Sequence, residues 1–209
     1  MHSLGGKTMT LLDKIKATTK TGDEFIIDEG QSINYSLLDF WKWSVSDILS
    51  NATRGRFAEF IVNTAIGFNP DNVRNEWDAF DLLSPEGIKI EVKSAAYIQS
   101  WAQKRFSDIK FSIKPAKYWD SDTIIQNEEY KRHADVYVFC LLKHKDKNTI
   151  DPLKIEQWDF YILSTYKLDK SKVNQSSITL KSLQKLAKPI KYSDIKVEIK
   201  KAYEEQNKL

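Results

Sequence analysis

The chain has 209 residues, 41% of them hydrophobic and 12% aromatic, enough for one domain with a real core and too much apolar surface for a disordered chain. No apolar run approaches the roughly 20 residues of a membrane span, the first residues lack the apolar stretch of a signal peptide, and a lone cysteine with three histidines excludes an internal disulfide and a Cys- or His-rich metal centre, which fits a reducing cytoplasm. The net charge of +3 is uneven: residues 1–100 carry 10 Lys/Arg against 14 Asp/Glu, a balance of −4, and residues 101–209 carry 22 against 15, a balance of +7. A basic second half can hold a phosphate backbone, although lysine-rich surfaces also simply keep proteins dissolved.

Taken in chain order, residues 1–34 read as an N-terminal extension. Residues 35–49 are rich in apolar and aromatic side chains and predict a helix, with Ser36 as N-cap. Residues 54–66 predict a second helix, closed by Gly67. Asn69-Pro70-Asp71-Asn72 is a turn cluster. Residues 76–83 and 88–94 predict two strands of a hairpin around Ser84-Pro85-Glu86-Gly87. Residues 95–105 fit helix or extended chain, and 109–113 alternate like a strand. Residues 134–142 form an unbroken apolar run that predicts a buried strand, and 157–163 predict another. Helices are expected over 178–187 and 194–203, the second capped by Ser193, with 164–209 a C-terminal helical extension. Helices, then a hairpin, then strands with flanking helices imply an α/β domain with a mixed sheet, with no linker or repeat to divide the chain.

The chemistry concentrates at the predicted hairpin. Ile88, Ile90 and Val92 alternate with Lys89, Glu91 and Lys93, so a strand here sends the apolar set to one face and the charged set to the other. Glu91 and Lys93 then share a face. Two carboxylates can hold a hard cation, and a lysine beside them can meet an anionic oxygen. The same residues would also make an ordinary cross-strand salt bridge. Which aspartate joins Glu91 depends on register. A four-residue turn pairing Leu83 with Ile88 puts Asp81 on the wrong face and brings Asp78 toward Lys93. A three- or five-residue loop, or a bulge, puts Asp81 on the face of Glu91, because a slip of one residue turns every side chain over. On the second helix, Glu59 lies among Phe57, Ala58, Phe60, Ile61 and Val62, and a carboxylate near apolar surface needs a metal, a water or an arginine such as Arg56. Arg54 and Arg56 fit phosphate contacts and structural pairing equally.

Three segments together resemble the PD-(D/E)xK nuclease superfamily, the fold of many restriction endonucleases and Holliday junction resolvases. Ile90-Glu91-Val92-Lys93-Ser94 matches its (D/E)xK strand. Trp77-Asp78-Ala79-Phe80-Asp81-Leu82-Leu83 resembles the strand that carries the first aspartate, although no proline precedes that residue here. Arg54-Gly55-Arg56-Phe57-Ala58-Glu59-Phe60 resembles the helix that brings a further glutamate. The resemblance covers roughly residues 54–142. It implies a restriction endonuclease-like α/β/α core, three layers with a mixed central sheet and flanking helices, and hydrolysis of DNA phosphodiesters. Asp81, Glu91 and Glu59 would then bind Mg²⁺ (or Mn²⁺), with Lys93 assisting the attacking water or the transition state. Gln99 stands where some members place a glutamine after the lysine strand, and an ordinary polar residue explains it equally well. Trp101, Lys104, Arg105, Phe106, Lys110, Lys114 and Lys117 interleave bases and aromatics, a composition that suits either a nucleic-acid groove or lysines lying over a covered core. His133 reads as a cap or surface residue and Cys140 as core. DNA, duplex or branched, is the expected partner, a homodimer is open, and no membrane is involved. The rival expectations are a domain that keeps the fold and binds nucleic acid without cutting it, and an interaction protein whose acids merely pair with lysines.

Overall fold

The structure, a computed structural model, describes residues 15–119, 126–172 and 175–207. The first 14 residues of the expected N-terminal extension lie outside them. Four elements come first: β1 (Phe25–Asp28), β2 (Gln31–Ser36), α1 (Leu37–Val45) and α2 (Asn51–Ile66). The site strands follow, β3 (Leu82–Leu83) and β4 (Lys89–Ala96). Three short strands, β5 (Lys110–Ser112), β6 (Ala116–Trp119) and β7 (Gln126–Lys131), lead to β8 (Val136–Leu142) and β9 (Trp158–Ser164). The chain ends with α3 (Thr165–Ser171), β10 (Ser177–Thr179), α4 (Leu180–Leu183) and α5 (Ile195–Gln206). No helix among the described residues is long and apolar enough to cross a membrane.

The principal sheet has the order β3-β4-β8-β9. β4 and β8 run parallel, from Ile90 opposite Val136 to Ala96 opposite Leu142, while β3 and β9 are antiparallel to their neighbours. The sheet is therefore mixed, and the molecule is an α/β protein. Every residue of β8 is buried, which explains its unbroken apolar run: a central strand covered on both faces has no polar side to show. One face packs on α2 and α5, where Ile90, Val92, Val138 and Cys140 meet Ala58, Ile61, Val62, Ile195 and Ile199. The other face packs Tyr137, Phe139 and Leu141 against Phe111, Leu168, Ile178 and Leu183. Each such side chain taken fully out of water contributes about 1.5–3 kcal/mol before conformational entropy is subtracted.

α2 buries Arg54, Ala58, Ile61, Val62 and Ile66, a single stripe at helical spacing. Gly67 ends it at φ 120°, its N–H donating to Asn63 O. Residues 164–209 contribute α3, β10, α4 and α5; β10 pairs with β5, and α5 lies in the principal core.

Several expected elements differ. The helix predicted over 35–49 is Leu37–Val45, with Ser36 capping it in a reciprocal box with Asp39, and Tyr35 belongs to β2. The hairpin β1–β2 was not foreseen. Its faces are both exposed, so no apolar–polar alternation marks it, and its two-residue loop uses Glu29 and Gly30, both at positive φ. The helix predicted over 178–187 begins as strand β10, because Ile178 pairs with Phe111. α5 starts after Asp194 rather than from a Ser193 cap, the Ser193 hydroxyl donating instead to the Asp194 carboxylate.

The first strand of the site hairpin is only two residues long, not the predicted 76–83, and residues 76–81 are turns and bends. Leu83 pairs with Lys89 and Leu82 with Ile90, so the connection is five residues, 84–88. Ser84 holds this loop: its hydroxyl accepts from Glu86 N and Ile88 N, and its own N–H donates to Ile88 O. Gly87 sits at φ 83°, where an added Cβ meets no atom but is strained by the backbone itself. Gly55, inside α2, also has open space around an added Cβ and no such strain. Opposite outcomes follow for the same substitution. Urea unfolding is expected to show Gly87→Ala destabilised by about 1–2 kcal/mol and Gly55→Ala stabilised by about 0.5–1 kcal/mol.

Candidate active site

The five-residue connection decides the register question. Extending the Leu82–Ile90 pairing by one residue sets Asp81 level with Glu91. Asp81 N donates to Ile90 O at 3.0 Å, and its carboxylate accepts from Val92 N at 2.8 Å. The side chain thus takes the place of the next backbone acceptor and ends the ladder there. Beyond Val92 the β3-side edge of β4 carries no strand among the described residues.

Glu91 and Lys93 project from the face of β4 opposite Ile90 and Val92 and are joined by a salt bridge, Lys93 Nζ to Glu91 Oε1. Both are largely shielded, as is Asp81, with side-chain exposures of 19% for Glu91, 28% for Lys93 and 19% for Asp81. Glu59 reaches the same region from α2. Its carboxylate is held by Arg74, whose guanidinium donates through Nε and Nη2 and also lies 3.8 Å from Asp81 Oδ1. Arg74, rather than Arg56, is the partner of Glu59; Arg56 pairs with Glu76 at 3.5 Å on exposed surface.

Asp81, Glu91, Lys93 and Glu59 therefore come to one site. Two other candidates do not join it. Asp78 is exposed and accepts from Asn75 Nδ2 at 2.7 Å, because the chain has left the sheet before reaching it. Gln99 is buried beyond the end of β4, where its Oε1 accepts from Arg54 and its Nε2 donates to Ala96 O and Ser107 Oγ. It also lines, with Arg54 and Lys93, a cleft beside the site. The His133 ring meets Ala116 O at 2.9 Å, and Cys140 is buried with its thiol pKa pushed up by desolvation. Arg74 was missed because nothing local marks it: it sits in an irregular segment and acts across the fold.

Among the described residues, no three His, Cys, Asp or Glu side chains converge into a ready ion cage. The donor chemistry nonetheless fits a small hard cation, which takes one or two carboxylates and keeps several waters. Asp81 and Glu91 are such a pair, and their proximity has an electrostatic signature. Burial raises the Glu91 carboxyl above the ordinary carboxylate range, repulsion from Asp81 adds to the rise, and Lys93 offsets only part of it, with Glu59 adding a smaller repulsion. The folded protein thus binds this proton more tightly than the unfolded chain does. Below the ordinary carboxylate pKa the group costs nothing; as pH climbs through the raised value it comes to cost stability. In metal-free protein, Glu91→Gln is expected to raise the urea midpoint at about pH 7 and leave it unchanged at about pH 3, below the unfolded-state pKa.

A comparison with curated proteins finds no significant match. A protein-family model does match, over residues 8–182, a span that takes in α2, the β3–β4 hairpin, β8, β9 and the whole acid–lysine cluster. The chain belongs to the bacteriophage T4 endonuclease IV family.

Proposed function

We propose that this chain is a metal-dependent DNA endonuclease working in the manner of the PD-(D/E)xK nucleases, with β4 as its catalytic strand and the α2, sheet and outer elements as its layers. The observation that carries the reading is the meeting of Asp81, Glu91 and Lys93 at the uncovered end of the β3–β4 ladder, with Glu59 behind them. An endonuclease family and a basic second half of the chain support it. The substrate is DNA, duplex or branched, and the setting is the cytoplasm. One site per chain calls for a second copy when both strands of a duplex are cut.

Asp81 and Glu91, with Glu59 as an outer ligand, would hold Mg²⁺ or Mn²⁺. Once bound, that ion supplies a water of lowered pKa and neutralises charge on the phosphate. The protein's own groups do the rest. Asp81 is fixed by Val92 N, so its second oxygen has a set direction. Lys93 carries its ammonium beside Glu91, placed to donate to the attacking water or to the oxygens that gain charge as the P–O ester bond breaks. Arg74 balances the acids before substrate arrives and can turn a donor to a phosphate oxygen.

Glu91→Ala and Lys93→Ala are each expected to lose at least about a hundredfold in cleavage rate, the scale for removing one charge-stabilising group, with circular dichroism unchanged. Wild-type cleavage of circular DNA by either purified variant removes that residue from the mechanism. In Ca²⁺, which suppresses turnover, DNA affinity is expected to fall steeply with salt as counterions are displaced by the basic half. Glu91→Ala should leave metal-free binding intact and abolish the gain from Ca²⁺. An affinity flat in salt, or a Ca²⁺ gain that survives the substitution, returns the protein to the interaction-domain alternative.

A further inference from the structure

Arg54 lies on the first turn of α2 and is 3% exposed. Its guanidinium donates to Leu49 O, Gln99 Oε1 and Asn51 Oδ1, and weakly to Ser94 Oγ at 3.4 Å. All four acceptors are neutral. No carboxylate forms an ion pair with it among the described residues. Burial lowers the pKa of its guanidinium, and Asp47, which forms no ion pair with it, offsets part of that; an anion closer by would offset more.

The place where an anion could enter is beside it. Arg54 lines a cleft of about 510 Å³ between the start of α2, the uncovered edge of β4 and the segment 99–110. Lys93 forms part of the same wall, so the cleft adjoins the acid–lysine site directly. Lys110, exposed, adds a third cation to the lining. Asp108, the one acid on the lining, is already paired with Arg105 at 3.1 Å. α2 starts at this wall, with Asn51 on the lining and Ser50 as an N-cap that makes no side-chain cap bond. Trp101 stands on the lining, 52% exposed, a large ring with no burial to account for it.

Resting on the nuclease reading above, we infer that this cleft is the subsite for the nucleotide adjoining the scissile phosphate, its own phosphate drawn to Arg54 and Lys110 and its base laid on Trp101. A base in this position lies outside a duplex stack, since Trp101 takes the place of its neighbour.

The test uses the full chain in EDTA, titrated with thymidine 5′-monophosphate and with thymidine. The wild type is expected to bind the nucleotide, and to prefer it to the nucleoside. Trp101→Ala, at an exposed position, should weaken the nucleotide at least about tenfold, within the range for losing a base–aromatic stack. Lys110→Gln should reduce the preference for nucleotide and flatten its salt dependence. Arg54→Met should bind nucleotide and nucleoside alike; if that variant fails to fold, Trp101→Ala and Lys110→Gln decide. No binding by the wild type, or binding unchanged in both of those variants, overturns the subsite. Cleavage of circular DNA in Mg²⁺ by the same wild-type preparation separates the two readings. Cleavage without nucleotide binding sinks the subsite and leaves the nuclease; binding without cleavage sinks the nuclease reading and with it the subsite's place beside a scissile phosphate, leaving only a nucleotide-binding cleft.

Discussion

The alternation of side chains along β4 is the constraint on which the rest of the structure depends. One eight-residue strand has to anchor a core and present a charged cluster, and period-2 geometry allows both by giving Ile90 and Val92 one face and Glu91 and Lys93 the other. Ile90 and Val92 hold α2 against the sheet, while Glu91 and Lys93 face the other way. The parallel partner β8 fixes the strand in place along its length, and the short β3 leaves one edge open just where the charged residues stand. The core and the site therefore cannot be moved independently: the burial that holds Ile90 in place also aims Glu91.

That arrangement carries a cost which the fold meets with cations. Three carboxylates in partly buried surroundings repel one another, and the Glu91 proton affinity records the conflict. Lys93 answers Glu91, and Arg74 spans Glu59 and Asp81. The result is a site in which two cations on long, adjustable side chains answer three shorter carboxylates, leaving one formal negative charge over. Fixed acids suit ligands that must keep their geometry, and mobile cations suit partners that must give way.

What could be read from the chain divides along physical lines. β8, β4 and α2 were legible because each has a buried face, and burial is what writes periodicity into a sequence. The β1–β2 hairpin has no buried face and wrote none. β10 reads as helix in the sequence because its three residues are too few to show a period beside the short helix that follows. At the candidate site, the nearness of Glu91, Lys93 and Glu59 follows from pattern and resemblance together. The side on which Asp81 lies hung on one residue of loop length. Ile88 has the composition of a strand residue, yet its N–H is spent on the Ser84 hydroxyl, so it belongs to the turn. Arg74 and the role of Arg54 are tertiary facts: each acts on groups brought near by folding, at sequence distances of up to 45 residues, and no local window contains them.

The parallel pairing of β4 with β8 also bears on when the molecule becomes whole during its synthesis. Ile90 leaves the ribosome long before its partner Val136, and everything between them must be made before the ladder can close. Until then β4 is a lone strand with a two-residue companion, too little to stand in water by itself. The acids and the lysine are translated early but convened late. A nascent chain that already contains all four of them has no assembled centre, and the ordering contact arrives only with the strand that also completes the hydrophobic interior. The meeting of these side chains and the closing of the interior are thus tied to one strand pairing, in a topology in which the first half of the protein waits for the second.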